Sequence, residues 1–257
     1  MSFAEKINIW NDTVEKCKFL LSKGIVPDSS IKYDYLDVNL KKKYQKTDIQ
    51  ILNMDSINCG WYLLSMGCNP VVLNMADNTF PGGHVASGSG AQEESLFRRS
   101  NYFQTLHLGT GFYPLREAQL VYSPKVTIIK NDSGNLLSNF FNLSFIACPA
   151  IKKPTLEKGE KFTESDRELL IRKLKNILNV AYYHNHDSVV LGALGCGAWM
   201  CPQVEVAKIC KQVVKEYNGY FKAITFAILD VNKSEYIVKN SNMDKSNFTI
   251  FKNVFAS

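Results

Sequence analysis

From about residue 47 onward, short β-branched runs alternate with stretches of helical period, and this alternation constrains the fold more than any other feature. Ile49–Leu52, Pro70–Met75, Lys125–Ile129, Leu143–Cys148, Ser188–Leu191 and Ala223–Leu229 read as strands. Ser56–Met66, Glu93–Leu106, Thr163–His186 and the stretch from Pro202 through Tyr217 read as helices. Such a chain belongs to the α/β class, an α/β sandwich on a largely parallel or mixed sheet. In that class ligands bind beyond the carboxyl ends of the strands. Two glycine-rich loops directly follow predicted strands, so both are expected on the functional edge.

The first loop runs from Pro81-Gly82-Gly83-His84 to Gly90-Ala91-Gln92-Glu93-Glu94. Glycine bares backbone N–H groups and accepts positive φ, so the loop is expected to wrap an anionic ligand. Two adjacent carboxylates are poor phosphate partners. Their expected place is beside the phosphates, against an uncharged or cationic part of the same ligand, which suits a ligand that is diphosphate at one end and sugar at the other. The second loop, Gly192-Ala193-Leu194-Gly195-Cys196-Gly197-Ala198-Trp199, leads through Pro202 into a helix. Pro suits a first helical turn, where its missing N–H costs nothing. A loop of this kind before a helix is either the second half of a diphosphate clamp or a tight strand–helix turn.

Composition sets outer limits. The 257 residues are 46% apolar and 21% charged, with 30 basic against 24 acidic side chains. A net charge of +6 fits an anionic ligand without demanding nucleic acid. The seven cysteines are odd in number, scattered and without a C-x-x-C, so neither a metal site nor a disulfide framework is expected. Reduced thiols and the lack of a signal-peptide pattern lead to an expected cytoplasmic or nuclear location. No cofactor, DNA partner or membrane partner is expected, and the chain is read as a monomer. Residues 3–23 form an amphipathic helix, with Phe3, Ile7, Trp10, Val14, Cys17 and Leu21 on its apolar side and Gly24 as a stop.

The two loops together resemble the macrodomain superfamily, and within it the microbial poly(ADP-ribose) glycohydrolase type. That type carries three glycines, a spacer, then Gln-Glu-Glu opening a helix. Here Gly82-Gly83-His84 is followed by seven residues and Gln92-Glu93-Glu94. Leu73-Asn74-Met75-Ala76, Ser95–Ser100, Gly195-Cys196-Gly197 and Phe226–Asp230 also look like the family. The resemblance covers residues 47–257 and implies a three-layer α/β/α sandwich with a mixed central sheet, preceded by an N-terminal helical extension over residues 1–46. It implies ADP-ribose as the ligand and ADP-ribosylated protein or poly(ADP-ribose) as the partner. His84 departs from the family's third glycine. Asp77 stands where relatives place asparagine or serine, and its charge hints at a guanidinium, hence an arginine-linked substrate.

The chemistry implied is cleavage of a glycosidic bond at the distal ribose, through an oxocarbenium-like transition state. By family position Glu94 is the acid and then base and Glu93 holds ribose hydroxyls; for an arginine leaving group, the charge of Asp77, a departure from the family, would position the cation. Gly82, Gly83, His84, Gln92, Gly195, Cys196, Gly197 and Ala198 are expected to line the ligand. Trp199 is a ribose-packing or loop-closing residue. Phe226 is an adenine stack or plain core. Asp55 accepts from the adenine amino group or caps a helix, and Asn74 orders the first loop. The alternatives are a non-catalytic macrodomain that reads ADP-ribose, and a dinucleotide oxidoreductase. The latter lacks a G-x-G-x-x-G between first strand and first helix.

Overall fold

A computed structural model describes residues 1–157, 161–230 and 246–257. In chain order its main elements are α1 (Phe3–Ser22), β1 (Ile31–Tyr33), β2 (Asp48–Leu52), α2 (Ser56–Ser65), β3 (Pro70–Met75), α3 (Gln92–Arg98), β4 (Leu120–Lys130) and β5 (Leu136–Cys148). There follow β6 (Leu156–Glu157), β7 (Lys161–Phe162), α4 (Glu164–Tyr183), β8 (Ser188–Leu191), α5 (Gln203–Glu216), β9 (Ala223–Ala227) and α6 (Asn247–Ala256). The fold is α/β, a seven-stranded mixed sheet flanked by helices. Contacts group the chain into two compact units, Met1–Leu36 with Val71–Pro149, and Asp37–Pro70 with Ala150–Ser257.

The first unit holds strands in the order β1-β4-β5-β3, antiparallel until β5 meets β3 in parallel. Val71, Val72 and Leu73 are buried in succession, the continuous apolar run of a strand covered on both faces. Tyr102 stacks on Phe145 at 4.9 Å and meets Phe97 at 5.1 Å, joining the segment after α3 to the sheet. Strands β4 and β5 are longer than the sequence predicts. A register shift between Ser123 and Val126, with Lys125 at φ 48°, interrupts the apolar pattern and conceals that one strand continues through it.

The helix expected over Glu93–Leu106 stops at Arg98. The next residues turn to the edge of β4: Ser100 bridges Ile128, Asn101 N–H donates to Thr127 O, and Thr127 N–H donates back to Asn101 Oδ1. A backbone bond to the strand, returned to the Asn101 side chain, outweighs helical propensity here, and a short 3₁₀ turn at Tyr102–Gln104 follows.

Helix α1 docks on this same unit, with a face rotated from the predicted one. Thr13, Cys17 and Leu20 are its buried residues, whereas Phe3 is 66% exposed. The reason is polar. Thr13 Oγ1 donates to the carbonyl of Arg98 at the end of α3, and the buried Lys130 ammonium donates to Ile9 O and pairs with Asp12 at 2.7 Å. Cys17 and Leu20 then pack on Ile129 beside Phe103. Fully burying a leucine contributes about 1.5–3 kcal/mol.

In the second unit β8, β9 and β2 run parallel, with α2 against β8 and β9 and α5 against α4 and α6. Helix α6 is an element that the strand–helix alternation did not predict. Ser246 caps it by accepting from Thr249 N–H, and Phe251 and Phe255 pack on Phe226.

Candidate functional site

The first glycine loop leaves the carboxyl end of β3 and returns into α3, and its backbone serves the acidic pair directly. Glu93 is 3% exposed and accepts three hydrogen bonds. Asn74 Nδ2 and Gly82 N–H reach Oε1 at 3.1 Å each, and Asp77 N–H reaches Oε2 at 2.7 Å. Glu94 is held differently. His84 N–H donates to its Oε1 at 3.2 Å, while its Oε2 is buried with no hydrogen-bond partner.

These contacts revise the expected job of the loop. The N–H groups of Gly82 and His84 are spent on carboxylates rather than presented to an anion. Those of Gly83, Val85, Ser87, Gly88 and Ser89 close turns within the loop itself. The physical reason is that buried carboxylates need donors, and the loop is the nearest supply. The loop therefore positions the acids first.

Two glycines are required for that arrangement. Gly82 and Gly83 both have positive φ, 79° and 53°. A Cβ on Gly82 would lie 2.5 Å from the Phe97 ring, and one on Gly83 would lie 2.6 Å from Glu94 Oε1. His84, where the resemblance leads one to expect a third glycine, has φ −108°, which any L-residue adopts, and its side chain is exposed. The departure from the glycine triplet thus costs the backbone nothing.

Gln92 is committed to the strand. Its Oε1 accepts from Met75 N–H at 2.9 Å and its Nε2 donates to Leu73 O at 2.7 Å, so the amide continues the ladder of β3. Asn74, buried at the strand end, donates its side-chain amide to Glu93, so it serves the acid rather than ordering the loop directly. Asp77 closes the turn after β3 by accepting at Oδ1 from Thr79 and Phe80 N–H. Arg98 is buried and donates to Ser89 O at 2.6 Å, bracing the far side of the loop.

Burial is the largest influence on Glu93 and pushes its carboxyl up to about 8. The bonds from Asp77, Asn74 and Gly82 pull it down, and the charge of Glu94 pushes it up again. A carboxyl that keeps its proton near neutral pH is thus present, and it is Glu93. Two buried phenols feel the charge of Glu93. Burial raises both Tyr102 and Tyr113, and the charge of Glu93 adds to the rise in each. The Tyr102 hydroxyl lies beside Asn74 and Ser123 without reaching hydrogen-bond geometry with either. The sequence offered no signal for these two tyrosines, which sit in the irregular segment between α3 and β4.

The second loop connects β8 to α5 in the other unit. Cys201 N–H donates to Gly195 O, closing a turn that leaves Gly197 and Ala198 exposed. Cys196 is buried beneath it, and burial pushes its thiol well above the ordinary range, so it stays protonated. Trp199 is half-buried, with the Lys152 ammonium 5.9 Å from its ring and its carbonyl accepting from Lys153 N–H.

Two expected ligand residues are otherwise employed. Phe226 is wholly buried against Phe251 and Phe255, so its ring has no free face for a base; the missing cue was α6. Asp55 caps α2, its Oδ1 accepting from Ile57 and Asn58 N–H. Among the described residues no three His, Cys, Asp or Glu side chains are grouped so as to hold a metal ion. Nor is any described helix long and apolar enough to cross a membrane.

Residues 16–131, which include β3, the first loop and α3, match the family model of the microbial-type PARG catalytic domain. Poly(ADP-ribose) glycohydrolase from Thermomonospora curvata superposes with a TM-score of 0.76 at 22% identity, covering 97% of this chain and 99% of that one. The enzyme from Deinococcus radiodurans, solved in complex with ADP-ribose, gives 0.70 at 25% identity, covering 84% and 86%. No curated protein sequence matches the chain. In sequence over residues 16–131, and in fold over nearly its whole length, the chain is similar to the microbial-type PARGs.

Proposed function

We propose that the protein is an ADP-ribosyl glycohydrolase that cleaves the glycosidic bond at the distal ribose of poly(ADP-ribose). The observation that carries this reading is the asymmetry of the acidic pair. One oxygen of Glu94 is anchored by His84 N–H and the other is buried and unpartnered, while Glu93 is fixed by three donors. A buried oxygen kept free on a carboxyl group held in place is what acid–base work at a sugar carbon requires, the group acting first as the acid and then as the carboxylate. Glu94 gives a proton to the departing oxygen as the C1–O bond breaks, then takes one from the water that bonds to C1. Glu93 holds the sugar hydroxyls. The likeness to glycohydrolases solved with ADP-ribose supports the choice of ligand.

Polymer is the first substrate to test, because the arginine reading rests on Asp77. That carboxylate already accepts two backbone N–H groups. Automodified transferase carrying polymer and an arginine-linked mono-ADP-ribosyl peptide are incubated with the protein side by side. The expected result is released ADP-ribose from the polymer. Release from the arginine conjugate alone would transfer the assignment to that linkage, and tight binding without release would make the protein a reader.

A further inference from the structure

Tyr113 has a buried hydroxyl with no hydrogen-bond partner. Its segment is tied to the loop after β3, since Leu115 N–H donates to Asn78 O at 2.8 Å. Asn78 lies just past the end of β3, so this bond brings the segment of Tyr113 to the carboxyl edge of that strand, where the loop leading to the acidic pair begins. Burial is the largest influence on its hydroxyl, and the titratable groups that add to it are Glu93, Tyr102, Asp77 and Cys148.

A buried phenol without a partner is unfavourable by comparison with phenylalanine, which fills almost the same space. Four such unpartnered atoms occur in this unit's site: Tyr113 and Tyr102 hydroxyls, Glu94 Oε2 and Asn74 Oδ1. The last two accept, and the phenols donate. A sugar hydroxyl both donates and accepts, so it satisfies one member of each kind at once. A phosphate has only acceptors and would face two carboxyl groups.

We propose that Tyr113 is a further ligand-contacting residue of this site, donating its hydroxyl hydrogen to an oxygen of the sugar that meets Glu94. The inference rests on the glycohydrolase reading above. The phenol stays protonated throughout the working pH range, because burial first, and the neighbouring acidic groups after it, hold it well above its ordinary value. It is therefore a constant donor.

The test compares wild type with Tyr113→Phe in three measurements: thermal denaturation, calorimetric binding of ADP-ribose and of ADP, and release of ADP-ribose from polymer. The hydroxyl has no protein partner to lose, so Tm is expected to hold or rise. ADP-ribose affinity is expected to fall about five- to tenfold, the worth of one hydrogen bond, with a matching fall in kcat/KM. ADP, which lacks the terminal sugar, is expected to bind both proteins alike. Unchanged ADP-ribose binding and turnover in the variant would overturn the proposal. So would a marked fall in Tm or failure to fold, since either would show a structural role. If the wild type neither binds ADP-ribose nor releases it, the glycohydrolase reading fails first and this proposal with it.

Discussion

Glu93 makes a quantitative prediction about stability and pH. Burial holds its carboxyl at about 8 in the folded protein, against an ordinary value of 4.5. Between those values the native state keeps a proton that the unfolded chain has released. The native state then binds more protons than the unfolded state, so stability falls as pH rises from about 4.5 to about 8 and is level beyond. At about 1.4 kcal/mol per pH unit, the fall from this one group is roughly 4 kcal/mol between pH 5 and pH 8. Against a typical domain stability of about 5–15 kcal/mol, that is large. Glu93→Gln removes the titration and keeps the shape. It loses one favourable bond, because its amide must face the N–H of Asp77, but that cost does not vary with pH. Urea denaturation of both proteins at intervals of half a pH unit gives the difference in unfolding free energy. The difference is expected to shift in favour of the variant by about 4 kcal/mol from pH 5 to pH 8. A flat difference across that range would refute the argument, and would mean that the three donors outweigh burial and keep Glu93 ionised.

Gly83→Ala places a Cβ 2.6 Å from Glu94 Oε1 at a positive φ. Chemical denaturation should report a loss of about 1–2 kcal/mol from the backbone, and displacement of Glu94 should cut polymer hydrolysis about a hundredfold. His84→Ala should stay within about 0.5 kcal/mol of wild type in the same assay, since the side chain is exposed and its φ is ordinary. Burial holds the His186 imidazole at about 4, below its ordinary 6.5. The unfolded chain is protonated first, so the contribution of His186 is intact above about 6.5 and is lost as pH falls toward 4. An NMR titration should place its midpoint near 4, and a midpoint above 6 would contradict the burial argument. Asp12→Ala leaves the buried Lys130 ammonium with Ile9 O as its remaining recorded partner and should cost about 2–3 kcal/mol. Lys130→Met in that background should recover part of the loss.

The strand–helix alternation was legible because most strands of the sheet are apolar runs with clear ends. Pro70–Met75 and Ser188–Leu191 come out residue for residue. The sequence was misleading where tertiary pairing overrode local pattern. Ser100 and Asn101 leave the helix for the edge of β4, and Lys125 breaks the period of a strand that continues through it. Ser246 followed by Phe251 and Phe255 is a helical signal at the chain's end, and without it Phe226 looks available for a base when it is core.

At the site, glycines before a pair of acids could be read from the sequence, but not which of them serve the acids. Gly82 and His84 N–H bind the carboxylates, and Gln92 binds the strand, because burial creates a demand for donors that no one-dimensional pattern records. Tyr102 and Tyr113 were invisible for a related reason. They come from irregular chain, and only the folded arrangement brings their hydroxyls under the charge of Glu93.

The account turns on Glu94 having one oxygen anchored and the other free to exchange a proton at the sugar. Glu94→Gln keeps the oxygen that His84 N–H holds and puts a non-titrating amide in place of the free one. Single-turnover release of ADP-ribose from polymer, measured on wild type and variant with ADP-ribose affinity determined on both, tests this most directly. The expected result is a fall in release of about a thousandfold or more with affinity within about a factor of three. A variant that releases ADP-ribose at the wild-type rate would contradict the role given to Glu94.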